Sequence, residues 1–315
     1  MMHTRGERAI AVTALKAAVP YIRMFKRKVF VVKVGGAVFG DEECTRELIE
    51  QIGILHEVGI HVVLVHGGGP QSTALANALD VPAQFVEGRR VTDEGSLRVA
   101  TMVLNGIINT RVLAICRDIG LPAIGMSGVD AGLINAHRRP PVKLEGDAGG
   151  TVDYGFVGDI DSVDSGVLKR QLDAGFLPII SPLSADEDGT LLNINADTVA
   201  AAIAVALKAE KLILVTGATG ILDDVDDPGS LVSYLDLADL ERMRKQGRLD
   251  AGMKPKAAAI RSAIEGGVPR VHVISWQVPD SLLLEVFTNE GTGTLVVKDT
   301  GTLTPAEQAA AEDED

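Results

Sequence analysis

The sequence predicts an α/β fold: a three-layer sandwich around a mostly parallel sheet, with an N-terminal helical arm. Three observations carry that prediction. Short β-branched runs recur without alternating polar and apolar residues, as strands buried on both faces do. Helical patterns separate most of them, the rhythm of a parallel sheet covered on both sides. Several runs end on glycine, where backbone can approach a ligand with no Cβ in the way.

Residues 1–27 read as the arm. Ala11, Leu15, Ala18, Ile22 and Phe25 recur at spacings of four and three, one apolar seam, and Pro20 is expected to kink or divide it. Two arginines before a modestly apolar segment imitate a signal peptide, but Lys16 breaks the segment and no small-residue cleavage pattern precedes the first strand. That strand, VFVVKV, closes on Lys33 and opens into Gly35-Gly36. A helix is expected over 42–59, then the strand HVVLVH running into Gly67-Gly68-Gly69, then a helix in PQSTALANAL. The runs LPAIGMSG (121–128), FLPIISPLS (176–184), KLILVTGATGIL (211–222) and VPRVHVIS (268–275) read as further strands. Residues 137–155, with two arginines and two prolines, read as a loop or hairpin excursion. The acidic, alanine-rich stretch 300–315 reads as a disordered tail. Glycines at 35/36, 67–69, 125/128 and 217/220 suggest one ligand cradle at the carboxyl ends of the strands.

At 315 residues, 46% hydrophobic and 23% charged, the chain suits one large or two medium domains. A net charge of -13 and 3% aromatic residues argue against a nucleic-acid or anionic-membrane partner. No apolar run approaches the roughly 18 residues that span a bilayer. Cys44 and Cys116 form no CxxC pair and read as reduced thiols of a cytoplasmic protein.

The familiar phosphate motifs are missing: no GxxxxGK[ST] occurs, and no GxGxxG follows Gly35 or Gly67. Neither HExxH nor GxSxG is present, so metal and serine hydrolase chemistry is disfavoured and no metal cluster is expected. What remains is Arg89 and Arg90 beside a turn, Asn193, Asn195 and Asp197 at one helix start, and Lys254 and Lys256 at another. Singly, each has an ordinary reading: Asp197 as an N-cap, the arginines and lysines as solvated charges. Together with the glycine cradle they suit phosphoryl transfer to an acceptor that is already anionic, where positioning and charge neutralisation suffice and no base is required.

These residues resemble the amino acid kinase family, and within it the N-acetylglutamate kinases. From about Ala14 to Val297 the segments KVGGAV, LVHGGGPQ, GRRVTD, MVLNGIIN, GMSGVDAGLI, NINADTVA, AEKLILVTGATGIL, GMKPKA, GGVPRVHVIS and LLLEVFTNEGTGT follow the family order. The resemblance implies ATP-dependent phosphorylation, with Mg2+, of the side-chain carboxylate of N-acetyl-L-glutamate. It implies that Lys33 and Lys256 stabilise the phosphoryl group, with Asp197 holding both lysines. Gly35, Gly36, Gly68 and Gly69 would contact the γ-phosphate and acceptor, and Arg90, Asn193 and Asn195 the substrate. Thr216, Gly220, Ile221, Leu222 and Met253 would border the nucleotide. It also implies a substrate lobe over 28–207 and a nucleotide lobe over 208–299.

The arm resembles the kinked helix that links dimers into hexamers in arginine-inhibited members, so a homo-oligomer, dimer or hexamer, is expected. His272, Glu285 and Gly291 match the site where L-arginine acts as inhibitor. The chain departs from the family at Val129, Gly217, Lys254 and SWQVPD (275–280). The rivals are a kinase acting on a carrier-protein-linked aminoadipate or glutamate, and an inactive arginine sensor on the same fold.

Overall fold

The computed structural model describes residues 5–82, 84–86, 89–143, 150–224, 226–227, 229–249, 252–288 and 291–303. The central sheet has eight strands: β1 (Val29–Val34), β2 (His61–His66), β3 (Ala123–Ser127), β4 (Leu177–Ser181), β5 (Lys211–Thr216), β6 (Tyr234–Asp236), β7 (Arg270–Ser275) and β8 (Thr294–Val297). Their spatial order is β6-β8-β7-β5-β1-β2-β4-β3. Every neighbouring pair is parallel except β7 with β8.

The helices are α1 (Arg5–Phe25), α2 (Glu42–Glu57), α3 (Gly69–Ala78), α4 (Glu94–Asp118), α5 (Ser165–Asp173), α6 (Ala196–Leu207), α7 (Leu237–Lys245), α8 (Met253–Glu265) and α9 (Ser281–Phe287). Alternation along each strand sends successive side chains to opposite faces. Val31, Val63, Val65 and Leu214 pack against α6 and α8 through Val199, Ile203 and Ile260. Phe30, Val32, Leu64 and Ile213 pack the other way, against Ile49 and Ile52 of α2, Val103 and Val112 of α4, and Leu282 of α9. The result is the three-layer sandwich that the non-alternating strands imply. Local chemistry sets the ends: Asp41 caps α2 by accepting from Cys44 N at 3.0 Å, and Gly59, at φ +89°, lets the chain turn away from it.

β1 lies between β2 and β5, so the chain leaves it on one side and later returns on the other. This opens a crevice at its carboxyl end. The suggested lobe boundary near 207 falls at the β1–β5 junction, and one sheet runs through both halves. A second sheet, ordered Leu191–Asn193, Leu183–Ala185, Ile134–Arg138 and Gly158–Val163, extends from the end of β4 and carries Asn193 to the crevice. Within 137–155, His137 and Arg138 belong to that sheet, and Val142–Lys143 pairs with Thr151–Val152 as a hairpin.

Pro20 sits inside α1 without dividing it. The apolar seam docks only at its end. Phe25 is buried edge-on to Phe30 and Tyr21 meets Phe287, while Leu15 is 64% exposed. Helix α4 corrects the expectation from apolar runs: it is long and apolar enough to cross a membrane. Here its Val103, Ile108, Val112 and Cys116 are core residues against the sheet. Its middle, Met102–Asn109, is π-helical. The expected tail starts with a short 3-10 turn at Thr300–Thr302 and a buried Leu303; residues 304–315 lie outside the described residues.

Candidate active site

A cleft of about 470 Å³ opens at the carboxyl ends of β1, β2 and β5. Its walls include Lys33, Gly35, Gly36, Gly68, Gly69, Asn193, Asn195, Asp197, Thr216 and Lys256, drawn from five separate stretches of sequence. Lys33 takes the fifth position of β1 and so shares a face with Val31. It therefore points at α6 and not at α2. There its Nζ lies 2.7 Å from Asp197 Oδ1 in the first turn of α6, with both residues 5% exposed. The contact meets the distance but not the angular requirement of a hydrogen bond, so charge holds it rather than direction.

The helix cap is Asn195, not Asp197: the Asn195 side chain accepts from Asp197 N at 2.8 Å and from Thr198 N at 3.1 Å. Asp197 is thereby left to its lysine. Asn193 sits beside Thr92, donating to its hydroxyl at 3.4 Å.

The glycines divide by what would fill them. A Cβ at Gly36 would come within 2.9 Å of Gly68 Cα and Pro70 Cδ, and at Gly68 within 2.8 Å of Ile108 and Leu104. Gly36 lets the loops after β1 and β2 touch, a contact that Gln71 reinforces by donating to Gly36 O at 2.7 Å, while Gly68 leaves room for Ile108 and Leu104 of α4. A Cβ at Gly35 meets only Val215 O, at 3.7 Å, and one at Gly69 meets nothing within 4 Å. Those two positions are open. The start of α3 at Gly69 and of α6 at Ala196 bring two helix N-termini to the cleft, both favourable to an anion.

Two of the suggested cradle sites belong elsewhere. The space of a Gly125 Cβ is taken by the Asn109 side chain, and that of Gly128 by Leu183 O and Ile134. Both glycines serve packing between protein groups.

Lys256 lines the cleft, half-buried on α8, and donates to Gly252 O at 3.3 Å; Lys254 is exposed and off the cleft. Among the described lining residues the charges are Lys33, Lys256 and Asp197, a net +1 in a chain of net -13. A local cation excess of this kind suits an anionic ligand.

Of the suggested nucleotide residues, Thr216 lines the cleft and exchanges 3.0 Å contacts with Ala218. Gly220 packs against Leu231 and Thr294, Ile221 is buried with its N–H on Thr294 Oγ1, and Leu222 bridges Leu231. Met253 opens α8, packed against the core. None of these last four lines the cleft. Arg90 belongs to the strand Arg89–Val91, and its side chain lies outside the described residues. Arg138 and Arg139 are paired with Asp153 and Asp159, so they offer little free positive surface to an acidic carrier protein.

His272, Glu285 and Gly291 come together elsewhere. His272 donates from Nδ1 to Glu285 Oε1 at 2.5 Å, and the Lys211 ammonium sits 2.9 Å from its Nε2. Thr292 N–H donates to Glu285 Oε2 at 2.7 Å. Burial and Lys211 push the His272 imidazole below its usual pKa. Burial alone would raise the Glu285 carboxyl, but His272, Thr292 and Lys211 hold it down at about 2. Lys211 opens β5 while Thr216 closes it, so the two sites stand about 16 Å apart along the strand at roughly 3.3 Å per residue. Phe25 of α1 lies under the Lys211 ammonium, 5.3 Å from ring centre to Nζ.

Comparison with known proteins follows the same outline. The profile of the amino acid kinase family matches residues 28–275. An acetylglutamate kinase of Myxococcus xanthus is 50% identical over 91% of this chain and 94% of its own length. One from Symbiobacterium thermophilum is 45% identical over 90% and 96%. Among solved structures, an N-acetylglutamate synthase from Neisseria gonorrhoeae, complexed with coenzyme A and L-arginine, superposes with a TM-score of 0.78 at 28% identity. It covers 91% of this chain, which spans 65% of that longer protein. A carbamate kinase of Giardia lamblia, 18% identical with a TM-score of 0.60 over 86% of this chain and 99% of its own, shares the fold.

Proposed function

The chain belongs to the amino acid kinase family, and from that membership we propose that it transfers the γ-phosphoryl group of ATP to the side-chain carboxylate of N-acetyl-L-glutamate. The observation that carries this reading is the 50% identity with an acetylglutamate kinase across nine tenths of both chains. The cleft supports it chemically. The acceptor is already a carboxylate, so a new O–P bond forms as the bond to the ADP oxygen breaks, with no proton to remove. What the reaction needs is compensation of the charge on the transferring group, and the cleft holds two lysines and two helix starts.

In this reading Lys33, fixed by Asp197, and Lys256 flank the phosphoryl group. The open backbone at Gly35 and Gly69 admits it, Gly36 keeps the two loops together, and Gly68 lets α4 pack behind them. Asn193, with Arg90, grips the substrate's α-carboxylate, and Asn195 acts through the helix it caps. Thr216 borders the nucleotide, with backbone at Gly220, Ile221 and Leu222 and with Met253 behind it. Among the described residues no group of three His, Cys, Asp or Glu side chains could hold a metal, and Asp197 is already paired. These residues fit a Mg2+ carried on the nucleotide's own phosphates, where it would neutralise their charge.

L-Arginine as an inhibitor at His272, Glu285 and Gly291, a homo-oligomer built through α1, and a cytoplasmic setting complete the proposal. The exposed length of α1, Leu15 and Ile10 included, supports the oligomer: an apolar face left bare in one chain suits burial in an assembly. The test is ATP turnover with free N-acetyl-L-glutamate, trapping the acyl phosphate as a hydroxamate, with and without millimolar L-arginine. Turnover suppressed by arginine is expected. Turnover indifferent to arginine would remove the effector reading, and none at all would remove the substrate.

A further inference from the structure

His66 is the last residue of β2, directly before the Gly67-Gly68-Gly69 turn, and it is wholly buried. Nothing in the phosphoryl-transfer reading uses it. By strand alternation it shares a face with Val62 and Leu64, toward α4 and away from Lys33. A polar ring sealed into that layer needs both nitrogens satisfied.

The partners fix which nitrogen carries the proton. Asn109, the last residue of the π-helical segment of α4, is 5% exposed and places its Nδ2 3.1 Å from Ile179 O and 3.2 Å from His66 Nε2. The Ile179 carbonyl only accepts, so the group facing it must be the Asn109 amide NH2 and not its oxygen. That NH2 has a second hydrogen for His66 Nε2, which is therefore the bare, accepting nitrogen. On the other side of the ring Nδ1 lies 3.2 Å from Gly67 O, again an acceptor only, so Nδ1 bears the hydrogen. Burial pushes the imidazole down to about 4, and the ring is neutral at ordinary pH. Gly125 completes the arrangement, because a side chain there would occupy the place of the Asn109 amide.

The consequence reaches the cleft through one peptide. Among the described residues no peptide is cis, so the carbonyl of Gly67 and the N–H of Gly68 point in opposite directions. Gly67 O is held on the His66 side. Gly68 lines the cleft, and its N–H donates to no described group.

We propose that His66 and Asn109 are positioning residues: they hold the Gly67–Gly68 peptide so that the Gly68 N–H points into the cleft at the phosphoryl group in transfer. The chain Ile179 C=O, Asn109 amide, His66 imidazole, Gly67 C=O aims this donor from the layer behind the sheet. Preorganised backbone donors act on charge that develops in the transition state, so the effect falls on kcat more than on KM. The proposal rests on the phosphotransferase reading for its purpose, but its geometry can be tested apart from activity.

The experiment has two parts. In the wild-type protein, two-bond 1H–15N correlations of the His66 ring are recorded between pH 5.5 and 8. A hydrogen on Nδ1 and a bare Nε2 throughout are expected, with tautomer mixing in Asn109→Ala. A ring protonated on Nε2, or one titrating near pH 6.5, overturns the relay. In the second part, His66→Asn keeps a donor at the Nδ1 position, whereas His66→Gln moves it to the Nε2 end. His66→Gln is expected to lose on the order of 10-fold to 100-fold in kcat with KM for ATP within about 2-fold. His66→Asn is expected to recover most of that loss at a similar melting temperature. Equal losses in the two variants, or losses confined to KM or to melting temperature, overturn the positioning role. A wild-type protein with the expected tautomer but no turnover would remove the kinase reading and leave the relay as a structural device.

Discussion

The buried pair Lys33–Asp197 separates stability from catalysis if its two ends are replaced singly and together. Coulomb's law at an effective dielectric of about 20 gives roughly 6 kcal/mol of gross attraction at 2.7 Å. Desolvation of two groups each only 5% exposed offsets much of this. Removing one end strands the other charge in the interior, so Lys33→Met or Asp197→Leu should each cost about 3–5 kcal/mol of stability. Replacing both ends with apolar groups of similar volume strands nothing, and the double variant should recover most of that loss. Turnover should not follow. Losing a preorganised cation at the transferring group costs about 10²–10³ in kcat, and the double variant lacks Lys33 altogether. The assays are urea unfolding at pH 7.5 and hydroxamate trapping on the same preparations. A double variant that regains turnover along with stability would refute the catalytic placement of Lys33, and single variants as stable as the parent would refute the uncompensated-charge argument.

The glycines should separate in the same spirit. Gly36→Ala, whose Cβ meets backbone at 2.9 Å, should lower the melting temperature, while Gly69→Ala, with nothing within 4 Å, should fold normally and lose turnover by crowding the cleft; thermal melts beside initial rates check both. Lys256→Ala should drop kcat on the order of 10²-fold and the exposed Lys254→Ala by no more than about 3-fold, each within roughly 0.5 kcal/mol of parent stability. Acid should unfold the protein in two windows. As pH falls from 6.5 to about 4, the unfolded chain takes up a proton that buried His66 refuses, so up to about 3 kcal/mol is lost, and His272, its pKa also lowered by burial, adds to the loss below pH 6.5. Glu285, whose folded pKa is depressed to about 2, contributes stability above its unfolded value of 4.5 that is lost as pH falls toward 2. Urea midpoints against pH should show His66→Asn flattening part of the first window and Glu285→Gln the second.

What the sequence could disclose depended on how local the cause was. The strand face of Lys33 follows from counting by twos along VFVVKV, and a helix start near Asn195 and Asp197 follows from the alanine-rich run after them, so which of these residues gather at the crevice was legible, though not that Asn195 is the cap. An absent side chain is harder to read. Gly35 and Gly69 open onto the cleft, Gly36 lets two loops meet, Gly68 makes room for α4 and Gly125 for Asn109, yet all five lie in or just after strands. Only the three-dimensional neighbours decide whether a ligand or the protein fills the gap. The same limit hid His66 and Asn109. Each was visible as a polar residue inside an apolar stretch, LVHGGG and MVLNGIIN, and each therefore had to find a partner once buried. What no local pattern could supply was that they find each other across 43 positions, because the π-helical middle of α4 changes the helical phase that would have predicted where Asn109 points. Buried polar residues without a local partner are thus the places where sequence reasoning should expect long-range structure. In this chain that expectation leads from the back of the sheet to the Gly67–Gly68 peptide at the cleft.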